Sequence, residues 1–340
     1  MQYKKRSGKI IIKLLELMSI DQRKSEAAMQ IVFMGTPQFS LPALEKLVNS
    51  EHNLMAVYTQ QDKASGRGRK RTPGPVKELA VKHGVDVFQP ERLDDPNEIE
   101  RLRSIKPDLI AVAAFGQILP PAVLEIPPFG CLNIHPSLLP RYRGASPVAS
   151  AILSGDEETG VTIMLMEPGL DTGPILAQSN LPIEKTDTTE SLEIKLAESG
   201  ADLFMTVLPE WFEHKLEPKR QDNREATYTR RISKWDGKLD WDLPAETLSR
   251  RIRAYYPWPG GFTMWKGKVL KILGAMPLPV DRNIEPGRVV VPGHRTGFPV
   301  AVECGKGVLG LSSVQLEGKK PMSATEFLRG QRGFIGDKLG

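Results

Sequence analysis

Residues 108–115 read DLIAVAAF, and no charged residue occurs from Leu109 to Leu124. The run is too short to cross a bilayer, and Gly116, Gln117, Pro120 and Pro121 interrupt it. A strand of this character has no polar face to offer to solvent. It must be covered on both sides, as a central parallel strand is when helices pack above and below it. Parallel neighbours in turn need long crossover connections, so helices must alternate with strands along the chain.

That alternation is present. QIVFMG (30–35) is a short apolar run closing on glycine, after which Thr36 is placed to cap a helix and Pro37 suits its first turn. The predicted helix runs to about Asn49. LMAVYT (54–59), VDVF (85–88), CLNIH (131–135) and GVTIMLME (160–167) read as further strands, with EIERLRSI (98–105) as a helix among them. ILAQSNLPI (175–183) reads as an antiparallel edge partner. Asp187 with Glu190 has capping-box spacing, and Leu192, Leu196, Phe204, Leu208 and Trp211 follow a helical repeat that Pro209 would kink or end. The expectation is an α/β fold with a doubly wound, mostly parallel, Rossmann-like sheet.

Later the pattern changes. Residues 212–231 are polar and basic and read as a linker. A helix from Pro244 to about Tyr255 is followed by FTMWKGKVLKIL (262–273), GRVVV (287–291), PVAVE (299–303) and GVLGLSSVQL (307–316), short strands between Gly and Pro turns. SATE (323–326) is a capping box opening a terminal helix. Several short strands in so small a span predict a small OB-like β-barrel. A chain of 340 residues exceeds what one core usually supports. The expected division is a catalytic domain at 29–211, a linker at 212–231 and the barrel at 232–340. Residues 1–28 read as a leader or an upstream start, because Lys13 and Glu16 break the apolar core a signal peptide would need.

Two cysteines exclude a disulfide framework and a Cys-based zinc site, and five histidines lack metal-ligand spacing. The expectations are a cytoplasmic protein, no metal, no membrane partner and a monomer. Charge is uneven. Residues 209–340 hold 23 Lys and Arg against 15 Asp and Glu, whereas the remainder holds 23 against 26. A basic final third on a slightly acidic body points to a polyanionic partner.

The opening FMGTPQF has one glycine where a dinucleotide needs G-x-G-x-x-G, which argues against NAD. Three features carry other chemistry. Asn133 and His135 lie two apart on a strand, so both side chains point to one side, near the strand end where open α/β sheets place their sites. An amide and an imidazolium side by side can hold a developing oxyanion. SLLPRYRG (137–144) then leaves the strand as a proline-bounded loop, and GLDTG (169–173) sets Asp171 between glycines. A carboxylate there could orient His135 or accept a proton. Taken singly, each has a plainer reading: turn chemistry, a satisfied histidine, loop packing.

NIHPSLLPRYRGASP (133–147) followed by GVTIMLMEPGLDTG (160–173) resembles the signature of folate-dependent formyltransferases. IVFMGTPQFS (31–40), TQQDKASGRGRKRTPGPVKELA (59–80), RIRAYYPWPG (251–260) and GKKPMSATEFL (318–328) are similar to the members that act on aminoacylated tRNA, so the resemblance covers nearly the whole chain from Met29. It implies transfer of a formyl group from 10-formyltetrahydrofolate to the α-amino group of initiator methionyl-tRNA. It matches Asn133, His135 and Asp171 to the catalytic trio, and Ser137, Leu138, Leu139 and Pro140 to a folate-binding segment. The basic loop carrying Arg67, Arg69 and Lys70 matches an insertion that contacts tRNA. Read alone, that loop is first of all a solvated, flexible segment. The sequence departs from the family at Pro136, where Gly or Ala is common, and at Gln61 and Pro174. Alternatives sharing the trio are a formyltransferase acting on a small amine and a hydrolase releasing formate. An RNA-binding module with a degenerate α/β domain would need no intact trio.

Overall fold

The structure, a computed structural model, describes residues 28–65, 70–279, 285–293 and 296–340. The expectation for the leader therefore lies, up to residue 27, outside the described residues. The chain forms two compact units. One holds the residues up to His135 with Val161–Ser179 and Ala197–Gln221; the other holds Pro136–Gly160, Asn180–Leu196 and Asp222–Gly340.

The first unit runs β1 (Gln30–Gly35), α1 (Leu41–Val48), β2 (Asn53–Tyr58), the hairpin β3 (Lys63–Ser65) and β4 (Lys70–Thr72), α2 (Pro75–Lys82), β5 (Val87–Phe88), α3 (Pro96–Ile105), β6 (Leu109–Ala113), α4 (Pro121–Leu124) and β7 (Cys131–His135). β8 (Arg143–Gly144) and α5 (Pro147–Ser154) belong to the second unit, while β9 (Glu158–Leu165), β10 (Ile175–Pro182) and α6 (Thr189–Phe212) have residues in both. The main sheet has the order β10-β9-β7-β6-β1-β2-β5. β1 pairs parallel with β2 and β6, as do β6 with β7 and β2 with β5, whereas β9 runs antiparallel to β7. All five residues of β6 are buried, as its apolar run requires. Val32, Met34, Tyr58, Leu102, Ile110, Val112 and Phe115 share one core.

Two local expectations are corrected. Thr36 caps no helix. Its Oγ1 donates to the Phe115 carbonyl at 3.0 Å, and α1 starts later, after Ser40, whose own Oγ donates to the Ala113 carbonyl at 2.6 Å. Asp187 is likewise no cap. Thr188 and Ser191 make the reciprocal backbone-to-hydroxyl bonds at the start of α6, at 3.0 and 3.2 Å. Buried Asp187 instead accepts from Lys195 Nζ at 2.8 Å and from Ser191 Oγ at 2.8 Å. Pro209 lies inside α6, which continues to Phe212.

The second unit continues with β11 (Tyr228–Thr229), α7 (Ala245–Ala254), β12 (Gly261–Trp265), β13 (Lys268–Leu278), β14 (Val289–Val290), β15 (Val300–Glu303), β16 (Val308–Leu316), β17 (Met322–Ser323) and α8 (Ala324–Gly330). The late strands form an antiparallel half-barrel of order β12-β13-β16-β15-β14, with β17 on β16. The β13–β16 ladder shifts register around Gly274, which lets the sheet bend. α7 buries Leu248 and Ile252 against it. Trp265, Phe327 and Phe334 meet edge to face, with centroids 5.0 to 5.6 Å apart. The Ser323–Glu326 capping box opens α8 as expected. Among the described residues no helix is long and apolar enough to cross a membrane.

Candidate active site

β7 sets Asn133 beside Val112 of β6 and Met164 of β9, and His135 opposite Thr162. The pleat sends both side chains from the same face, and both are buried, 9% and 4% exposed. His135 ends the strand, at the carboxyl edge of the parallel ladder. Thr162, across from it, accepts from Gln178 Nε2 at 2.9 Å.

Asp171 arrives from the loop after β9, and its Oδ2 stands 3.8 Å from His135 Nδ1. That is an ion-pair distance, longer than a hydrogen bond. Asp171 has φ +51°, left-handed backbone that Asp and Asn enter more readily than other side chains. The loop is held at both ends. Leu165 N–H donates to the Pro174 carbonyl at 2.9 Å. Gln221 Nε2 donates to the carbonyls of Asp171 at 2.9 Å and Gly173 at 2.7 Å. A Cβ on Gly173 would fall 1.8 Å from the Leu165 carbonyl oxygen, so the loop closes on β9 only with glycine there. Gln221 escapes sequence reasoning because it sits in a polar stretch without periodicity.

This arrangement offers two N–H donors to a developing oxyanion and a carboxylate close enough to take a proton. Cys131, on the same strand, is no nucleophile: burial pushes its thiol up to about 12. At the neighbouring edge, the carbonyl of Phe115 accepts from Thr36 Oγ1 at 3.0 Å and from Gln60 Nε2 at 3.2 Å, tying together the loops after β1, β2 and β6. Neither Ser40 nor Gln60 stands out in the sequence.

The basic segment folds back as the β3–β4 hairpin, with Lys70 opposite Ser65. Arg67 and Arg69 lie outside the described residues. The hairpin's base is braced by Asp62, which accepts from Lys77 Nζ at 2.7 Å and from Gln89 Nε2 at 2.8 Å. The Lys77 hydrogen bond and then that of Gln89 hold the Asp62 carboxyl below its ordinary value.

Within the second unit, Ser137 and Leu139 are buried and Leu138 and Pro140 half-buried. Ser137 Oγ donates to the Arg141 carbonyl at 2.6 Å, and the Leu139–Pro140 peptide is cis. The stretch expected to be a linker braces this loop. Thr227 N–H donates to the Pro140 carbonyl at 3.3 Å, and β11 pairs with β8. Arg143, 1% exposed, donates to Tyr228 Oη at 3.2 Å and Asn223 Oδ1 at 2.9 Å. A buried arginine so far from its partners in sequence leaves no local pattern to read.

A parallel sheet with an amide, an imidazole and a carboxylate gathered at its carboxyl edge has the parts of an acid–base catalytic site. The model of the formyl transferase family matches residues 29–208, that of its C-terminal domain matches residues 231–332, and the chain belongs to this family. It is 46% identical over 312 residues to the methionyl-tRNA formyltransferase of Methylococcus capsulatus, covering 92% of this chain and 100% of that one. It is 47% identical to the methionyl-tRNA formyltransferase of Dehalococcoides mccartyi, covering 92% and 99%. Among solved structures, HypX from Aquifex aeolicus in complex with tetrahydrofolic acid is similar with a TM-score of 0.63 at 18% identity, covering 92% of this chain and 49% of that one. An N-formyltransferase from Helicobacter canadensis gives 0.62 at 18%, covering 84% and 99%. At such identity these structures speak for the fold alone.

Proposed function

We propose that this protein transfers the formyl group of 10-formyltetrahydrofolate to the α-amino group of initiator methionyl-tRNA. The observation that carries the reading is the 3.8 Å approach of Asp171 to His135 beside buried Asn133, in a chain whose full-length relatives bear the name methionyl-tRNA formyltransferase. The donor set fits a formyl group, whose oxygen needs N–H donors as the carbon becomes tetrahedral.

In this reading the uncharged methionyl amine attacks the formyl carbon. The Asn133 amide and a ring N–H of His135 donate to the oxygen as negative charge builds there. Asp171 keeps His135 oriented and takes the proton the amine loses, directly or through a water. The carbon then breaks its bond to the folate nitrogen, which recovers a proton. Ser137, Leu138, Leu139 and Pro140 form the wall assigned to the folate, and Arg67, Arg69 and Lys70 the loop assigned to the tRNA. We take residues 29–211 as the catalytic domain and 232–340 as the part that extends the basic surface. We place the protein in the cytoplasm as a monomer, in keeping with its two free cysteines. Incubation with 10-formyltetrahydrofolate and charged initiator tRNA is expected to yield N-formylmethionyl-tRNA. No such product, together with formylation of a small amine, would overturn the reading.

A further inference from the structure

Two tryptophans of the second unit stand in water and take no part in the chemistry above. Trp235, on the 3-10 turn Lys234–Gly237, is 73% exposed, and Trp258, in the turn after α7, is 60% exposed. Large exposed aromatics grouped together mark interaction sites. The two turns are locked against each other: a Cβ on Gly237 would fall 2.2 Å from the Gly260 carbonyl oxygen and 3.1 Å from Pro259 Cγ. Each tryptophan lies two residues before its side of that contact, Gly237 or Gly260. The indoles are thus carried on one braced base.

The charges around them are one-sided. Arg251 Nη2 donates to the Asp236 carbonyl at 2.9 Å and to the Lys238 carbonyl at 3.5 Å. Its guanidinium lies 5.7 Å from the Tyr255 ring centre. Lys271 Nζ would be 3.6 Å from a Cβ on Gly260. Lys234 and Lys238 are exposed. Among the described residues none of these four cations has a carboxylate within ion-pair distance. The neighbouring carboxylate, Asp236, is taken by Arg230. The guanidinium of Arg251 is held in place by main-chain carbonyls, which leave its charge uncompensated. Protein interfaces deplete lysine at their centres, whereas aromatic faces interleaved with free cations suit nucleic acid, bases on rings and phosphates on charges.

We propose that Trp235 and Trp258 form a stacking platform for unpaired nucleotides of the tRNA substrate, with Arg251, Lys234, Lys238 and Lys271 taking the flanking phosphates. This deepens the formyl-transfer reading and rests on it. The test uses the full chain with Trp235→Ala, Trp258→Ala and the two Phe variants. Each Ala variant is expected to raise KM for methionyl-tRNA about tenfold, with Phe costing far less, because stacking needs an aromatic face. The turnover at saturating tRNA, KM for the formyl donor and the melting temperature stay at wild-type values. In parallel, a short unstructured RNA should quench tryptophan fluorescence of the wild type, a blunt RNA duplex should not, and the double Ala variant should lose the quenching. Wild-type KM in both Ala variants, or quenching that survives in the double variant, overturns the platform, whatever else covers the indoles. A wild type that makes no N-formylmethionyl-tRNA but is quenched through these two residues would instead sink the formyl-transfer reading and leave the RNA platform standing.

Discussion

At the scale of single residues, the site is a pair of donors and the carboxylate that faces them. Asn133 has one task in the proposed reaction, a hydrogen bond that strengthens as the formyl oxygen becomes an anion. Asn133→Ala should therefore lower kcat roughly 100- to 1,000-fold while leaving KM for the formyl donor nearly unchanged, checked by steady-state kinetics in both substrates. Gln221 donates to two main-chain carbonyls of the Asp171 loop. Gln221→Ala should lower kcat on the order of 10- to 100-fold, because the carboxylate loses its fixed place, with both KM values and the melting temperature little moved. A fall in stability as large as the fall in kcat would mean that Gln221 holds the fold and not the loop. The donors were legible in the sequence, since strand spacing alone puts residues 133 and 135 on one side. Gln221 was not, because a side chain bonded to main-chain carbonyls fifty residues away leaves no repeat.

At the scale of elements, the start of α6 shows how one residue changes meaning in context. Asp187 is buried, and burial pushes its carboxyl up, but the hydrogen bonds from Lys195, Ser191 and the Glu184 backbone outweigh this and hold it below the ordinary value. A depressed native value means that the stabilisation is present above the unfolded carboxylate range, near 4, and disappears as pH falls through the native value. Asp187→Asn should cost on the order of 1–3 kcal/mol at neutral pH, since Lys195 loses its ionic partner and buried bonds are weakened. Thermal unfolding of the two proteins should differ at pH 7 and converge as the wild-type carboxyl protonates in acid. A constant gap at every pH would show that shape matters here and charge does not. The spacing of Asp187 and Glu190 suggested a cap, and the chain placed the cap one residue later with Thr188 and Ser191.

At the scale of the whole molecule, the excess of positive charge in residues 209–340 sets how an RNA substrate should respond to salt. If this surface neutralises phosphates, KM for methionyl-tRNA should rise roughly tenfold between about 50 and 200 mM salt for every two phosphates contacted. Initial rates over a salt series measure it, and a KM for tRNA that stays flat would show that phosphate contacts contribute nothing. The two compact units are built from alternating segments of the chain, so the residues that follow His135 belong to the other unit. Composition registers the change from α/β to β pattern near residue 231 but carries no trace of that interleaving.

The sequence by itself determined the parallel sheet, because a strand as apolar as LIAVA can only be covered on both faces, and it put Asn133 and His135 together at that strand's neighbour. It also marked the half-barrel by short strands and turns, and α8 by its capping box. Only the tertiary structure decided what answers these groups: Asp171 turned onto His135 by left-handed backbone, Gln221 and Gly173 holding that loop, residues 223–229 bracing the loop after the strand, and two indoles raised on one base. Periodicity and capping act within a few residues, so they are written locally. A hydrogen bond to a distant carbonyl, or a glycine that permits a close approach, depends on where the chain returns, and no short stretch of sequence contains that.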